Sequence, residues 1–199
     1  MPWSYGGTLR AMRQPHLILV TGLPGTGKTT LARALASRYG APLICKDTIK
    51  EPLLDILGGG VPDPTQSRQL SNASFAVMFN LAREFLKAGN DLILEGNFRP
   101  GEHEAIVEGW NTRTAQVLCR ATETARVARL RARKNDPSRH AGHRDADLAD
   151  QPAPMLDFLA LSSERFVFET DAMTWEDIDY NQLLALLDQL DLWHRTGRQ

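Results

Sequence analysis

No stretch of this chain stays apolar for the roughly 18 residues that a membrane-spanning helix needs. Its opening, MPWSYGGTLRAMRQP, also lacks the apolar core of a secretory signal. Both absences point to a cytoplasmic protein with no membrane partner. Cysteine is scarce. Cys45 and Cys119 are the only two, and neither a CxxC pair nor the Cys/His spacing of a structural zinc site is present. They read as reduced, buried thiols. An excess of charge of one sign is missing as well: 23 Lys and Arg stand against 24 Asp and Glu, a formal net charge of -1. No global field therefore favours nucleic acid or an acidic membrane, and any contact with a polyanion has to come from a local patch. There is no internal repeat, low-complexity tract or domain linker. At 199 residues the chain can bury a core without disulfides, and it fits one domain over 16–199 after a flexible arm over 1–15. Met12 offers a second candidate start.

What is present is a regular alternation of short apolar runs and longer amphipathic stretches. HLILVTG (16–22) predicts a fully buried strand, followed by a helix through KTTLARALASRYG that stops at Gly40. PLICKD (42–47) predicts a second strand. TIKEPLLDILGGG predicts a short helix with Pro52 in it, and 67–89 a long one closed by Gly89. DLILEGN (91–97), TAQVLCRA (114–121) and RFVFETD (165–171) predict three more strands. Helices are expected over 101–110, 122–134 and 155–164, and from Trp175 to near the end. Strands separated by helices give an α/β fold, a parallel sheet covered on both faces. The polar, proline-bearing segment around 134–152 reads as a mobile lid. Phe75, Met78, Phe79 and Phe85 recur at helical spacing, which predicts core packing over a cofactor or partner face.

The sharpest signal is GLPGTGKTT, from Gly22 to Thr30, placed after a strand and before a helix. It fits G-x-x-x-x-G-K-[ST] in the context that makes that pattern specific. Backbone N–H groups of Gly22, Leu23, Gly25, Thr26, Gly27 and the helix start bind phosphate oxygens, with Pro24 shaping the loop. Side chains would block that approach, hence the glycines. Lys28 supplies a point charge between the terminal phosphates of ATP, and Thr29, followed by Thr30, supplies a hydroxyl for Mg²⁺.

Three uses of a bound triphosphate are open: transfer to an acceptor, hydrolysis coupled to motion, and a GTP switch. RKND does not supply the N-K-x-D guanine motif, and LILEG carries one acid where a motor ATPase carries two. Transfer fits best. Asp47 lies at the carboxyl edge of the second strand, where it can take the proton of an incoming hydroxyl; it would serve equally as a helix N-cap. Lys50, one helical turn later, could neutralise an acceptor's phosphate or stand in solvent. Glu95 ends the third strand on the same edge. Asn97 and Arg99 could hold an acceptor, or serve a turn. Arg126, Arg129 and Arg133 share a helical face, with Arg139 and Arg144 in the following loop. Guanidinium groups there stabilise a phosphoryl-transfer transition state, or simply face water. His140 and His143 with Asp145 and Asp147 suggest a metal site, but no third strong ligand is placed by the sequence. Leu53, Phe75, Met78 and Phe79 would border the acceptor pocket.

GLPGTGKTT, KDTIKE, LILEGNFRP and the R-x-x-x-R…RHAGH segment together resemble the small P-loop kinases grouped with polynucleotide kinase, chloramphenicol phosphotransferase and zeta toxin. The resemblance runs from about His16 to the last helix. It implies a P-loop three-layer α/β/α sandwich, a five-stranded parallel sheet of order 2-3-1-4-5, and a short lid. It implies ATP and Mg²⁺ as cofactors, Asp47 as general base, and Glu95 as an acid that holds magnesium through water. Arg129 and Arg133 match lid positions that contact ATP phosphates or adenine. Lys50 stands where polynucleotide kinases place an arginine for the acceptor's 3′ phosphate, and lysine cannot make that two-pronged contact. The expected partner is a small-molecule hydroxyl acceptor: a nucleoside, a sugar nucleotide (as in a toxin-like kinase), or an antibiotic. A 5′-hydroxyl polynucleotide kinase and an ATP-binding regulatory module with little catalysis are the alternatives.

Overall fold

The computed structural model describes residues 14–57, 63–133, 136, 140, 142–143, 148–151, 153–171 and 180–196. The expected arm lies almost wholly outside them, as do Met12, Arg139, Arg144, Asp145, Asp147 and much of the lid segment.

Five strands form one parallel sheet: β1 (His16–Gly22), β2 (Leu43–Cys45), β3 (Leu92–Glu95), β4 (Arg113–Arg120) and β5 (Glu164–Glu169). Their order is β2-β3-β1-β4-β5, as the family resemblance implied. The helices of the described residues include α1 (Lys28–Tyr39), α2 (Lys46–Leu57), α3 (Pro64–Lys87), α4 (Glu104–Val107), α5 (Glu123–Arg133) and α6 (Tyr180–Thr196).

β1 is buried at all seven positions, because helices cover both faces of a parallel sheet. Leu17 and Leu19 face α3, against Phe75, Met78, Phe79 and Ala82. Ile18 and Val20 face the other layer, against Leu31, Ala32 and Leu35 of α1 and Leu186 and Leu190 of α6. The aromatic positions 75 and 79 are therefore core. Both cysteines are buried and unpaired. Burial, helped by nearby Glu95, pushes both thiols up to about 12. At the edge of the sheet away from the glycine loop, Asp91 accepts the His16 backbone N–H at 2.8 Å and lies 3.2 Å from Nε2 of His194, joining β1 and β3 to α6. No helix among the described residues is long and apolar enough to cross a membrane.

Four expectations change. The helix expected over 101–110 covers only Glu104–Val107. β2 ends at Cys45, so Lys46 and Asp47 belong to the first turn of α2. α3 begins at Pro64, not 67. Asp63 caps it by accepting from the N–H groups of Thr65 and Gln66, with Gln66 answering the Asp63 N–H. The helix expected over 155–164 does not form. Buried Gln116 of β4 instead holds the Leu159 backbone from both sides, accepting its N–H at 2.8 Å and donating to its carbonyl at 3.0 Å. Leu159 and Leu161 then enter the core at a spacing of two, which is extended chain, not helix.

Candidate active site

The loop between β1 and α1 sits at the carboxyl end of the central strand, where ligands bind in open α/β sheets. A Cβ at Gly22 would come within 2.7 Å of the Cys119 carbonyl oxygen, so nothing larger than glycine lets β1 and β4 close here. Gly27, at φ 78°, turns the chain into α1. Thr26 is buried and its hydroxyl donates to the Leu23 carbonyl at 2.8 Å; its N–H donates to the same oxygen at 3.2 Å. Thr26 therefore shapes the loop from within. The Thr30 N–H is taken by the Gly27 carbonyl at 3.1 Å. The N–H groups of Gly25, Gly27, Lys28 and Thr29 have no backbone or side-chain acceptor among the described residues. A cluster of such donors at a helix start fits a phosphate.

Lys28 opens α1, and its Nζ lies 3.6 Å from Oε1 of Glu95 at the end of β3. Glu95 is 2% exposed. A buried carboxylate, a lysine beside it and the half-buried Thr29 in the same helical turn fit a triphosphate with a divalent cation. On the β4–β5 side, a cavity of about 260 Å³ opens next to the loop, bordered by Leu23, Leu118, Ala121, Leu156 and Asp171. Its mainly apolar wall suits the nucleoside end of such a ligand.

The β2–β3 side is polar. Lys46, the first residue of α2, reaches Oδ1 of Asp47 at 2.9 Å and Oδ1 of Asn97 at 3.5 Å. Asp47 lies inside the first turn rather than ahead of it as a cap. Burial works to raise the pKa of its carboxyl, but the charges of Lys46 and Lys28 outweigh it and hold the group well below the usual carboxylate range. Lys50 is 8% exposed, and its Nζ donates to Oγ of Ser67 on α3 at 2.8 Å. Burial, with Lys46 nearby, pushes its pKa down to about 8. Arg99 stands apart from this group, exposed and 3.8 Å from Glu102. Its backbone N–H donates to Nδ1 of buried His103 at 3.0 Å, which fixes the loop that carries Asn97.

Lys46 is the residue that sequence reasoning missed. It sits in the quoted run KDTIK, but a strand through 47 would have sent Lys46 and Asp47 to opposite faces. Only a strand that stops at 45 makes them neighbours.

The arginines of α5 pack beneath the glycine loop. Arg126 is buried and forms a fork on Glu123, at 2.9 and 2.7 Å. Arg129 donates to the Gly25 carbonyl at 3.2 Å, to the Thr170 hydroxyl at 3.0 Å, and to the Thr170 carbonyl. It holds the loop to the end of β5. Arg133 is the last, partly buried residue of α5. Replacing Arg129 by alanine strips donors from two carbonyls and should cost about 2 kcal/mol of folding stability, read as a lower denaturant midpoint. An unchanged midpoint with lost turnover would instead make Arg129 a phosphate contact.

Residues 17–153 match the family model described as AAA domain. An uncharacterized protein of Mycobacterium tuberculosis (strain H37Rv) and one of Mycobacterium bovis are each 30% identical over 147 residues, covering 69% of this chain and 30% of theirs. The chain thus spans about 30% of the length of the curated relatives it matches. Among solved structures, a "putative kinase" from Chloroflexus aurantiacus j-10-fl superposes with a TM-score of 0.79 at 29% identity, covering 94% of this chain and 99% of that one. A sugar kinase from Janibacter sp. HTCC2649 superposes with a TM-score of 0.56 at 16% identity, covering 89% and 95%, a likeness of fold alone.

Proposed function

The chain belongs to the AAA domain family and is built as a small P-loop kinase, and from that premise we propose that it moves the γ-phosphoryl group of ATP to a hydroxyl on a small, anionic acceptor. The observation that carries this reading is Asp47. It is a carboxylate kept ionised by Lys46 and Lys28, at the sheet edge where the phosphate loop ends. Lys28 leaves Glu95 to hold the terminal phosphates, and the free N–H groups of the loop fix their orientation. Thr29 and Glu95 would hold Mg²⁺, which when bound would supply charge neutralisation for those phosphates. Asp47 orients the acceptor hydroxyl and takes its proton. As Lys28 turns to the phosphates, Asp47 loses part of the positive field that weakens it as a base.

The acceptor class is read from Lys50. Among the described residues it has a hydroxyl partner, Ser67, and no carboxylate within ion-pair distance. A buried cation so placed, one helical turn from the base, suits a phosphate or carboxylate on the acceptor. A nucleotide sugar, a phosphosugar or a sugar acid has this form. A polynucleotide is the weaker reading, since a net charge of -1 supplies no basic groove.

Lys50 is cationic below about pH 8 and neutral above it. The acceptor KM should therefore rise as pH passes upward through that value, while the ATP KM stays level. An acceptor KM that is flat across the range removes Lys50 from the acceptor site. The proposal itself is tested by ATP consumption with and without a panel of phosphorylated, carboxylated and neutral hydroxyl compounds. Stimulation by anionic members supports it; stimulation by neutral members alone overturns the acceptor class.

A further inference from the structure

α2 carries Asp47, Glu51 and Asp55 at a spacing of four, which places three carboxylates on one helical face. The sequence also contains RHAGH, whose two histidines the proposed chemistry leaves unused. The structure brings the two together. Nε2 of His143 lies 2.7 Å from Oε1 of Glu51, and Nε2 of His140 lies 2.9 Å from Oδ1 of Asp55. The Gly142 N–H donates to Nδ1 of His140 at 3.0 Å. That nitrogen must then be unprotonated, so Nε2 carries the hydrogen and donates it to Asp55. Gly142 seals the contact: a Cβ there would come within 2.5 Å of Leu54, itself buried on α2. His143 is also near enough for its charge, when protonated, to act on Asp47.

α2 needs such a tie. Pro52 sits inside it, and an interior proline removes one helical hydrogen bond and crowds the carbonyl four residues earlier, here that of Thr48. The weak point falls in the turn that follows Asp47. Glu51 precedes Pro52 and Asp55 follows it, so the two histidine contacts straddle the break.

We propose that His143 is a positioning residue for phosphoryl transfer: through Glu51, with His140 on Asp55, it splints α2 across Pro52 and fixes where Asp47 stands. The inference rests on the reading of Asp47 as the base. It differs from a zinc site at these histidines, because both Nε2 atoms are engaged with α2 carboxylates.

The test uses the full chain with Mg·ATP and water as the acceptor. His143→Ala should lower kcat about tenfold and leave the ATP KM within about twofold. His143→Gln, which keeps an N–H donor, should recover most of the loss. Adding Glu51→Gln to His143→Ala should cost nothing more, since the pair acts as one unit. Amide exchange over 46–51 should rise in His143→Ala and fall back in His143→Gln. Exchange and kcat both unchanged in His143→Ala overturns the splint. Faster exchange with unchanged kcat, in a protein that Asp47→Asn inactivates, overturns the positioning role. If Asp47→Asn leaves turnover intact, the reading of Asp47 has failed, and exchange alone then decides whether the splint exists.

Discussion

Lys28→Ala should abolish ATP turnover, with a loss of about a thousandfold or more in kcat/KM. Lys28 is the point charge of the phosphate loop, and it acts where charge spreads over the transferred group in the transition state. Arg129, an α5 cation that reaches the loop, cannot replace it. Its guanidinium is committed to the Gly25 carbonyl and to Thr170. The variant also leaves Glu95, 2% exposed, without its cation. An uncompensated buried carboxylate costs several kcal/mol, about 3 in comparable cases. A lower melting temperature is therefore expected and has to be separated from lost chemistry. Lys28→Ala combined with Glu95→Gln does this, since it removes the stranded charge. Stability should return and activity should not. If activity returned with stability, Lys28 would be a structural partner of Glu95 only.

Asp47→Asn should lower transfer by about a hundredfold to ten-thousandfold, the range for loss of a general base, with ATP binding nearly unchanged. The amide keeps the size of the side chain and can still meet Lys46 with its oxygen, so the first turn of α2 should stand. What it cannot do is take a proton. An equal fall in ATP affinity would show that Asp47 serves the nucleotide. The pH profile adds a second check. With its pKa held far down by Lys46 and Lys28 against the effect of burial, Asp47 is ionised throughout the neutral range. An acid limb of activity between about pH 5 and 7 would then belong to another group. A depressed carboxyl contributes stability that is fully present above its unfolded value of about 3.9 and is lost as pH falls through the folded value. The variant should show a shallower loss of stability on acidification below about pH 4.

The parts of this molecule that were legible in the sequence are those set by neighbours along the chain. HLILVTG and GLPGTGKTT state a buried strand, a turn and a helix start in 15 consecutive residues, and the sheet and loop follow as expected. Asp47, Asn97 and Glu95 come to one edge because strands of a parallel sheet end on the same side. The larger misreadings are long-range, while the end of β2 and the start of α3 were misplaced locally. The helix expected over 155–164 gives way because Gln116, 43 residues away, supplies the hydrogen bonds of Leu159. The α5 face of Arg126 and Arg129 was readable. That Arg129 spends its fork on Gly25 and Thr170, 104 and 41 residues away, was not. The carboxylate partners of the lid histidines, 85 and 92 residues upstream, were not readable either. Lys46 was hidden by a strand boundary two residues too long.

The most direct test of the central claim is product analysis with ATP labelled at the γ-phosphate, run with anionic hydroxyl acceptors and comparing wild type with Asp47→Asn. Label in a new phosphate ester from wild type, and about a hundredth as much or less from the variant, is the predicted result. Label released only as inorganic phosphate, at equal rates from both proteins, would contradict it.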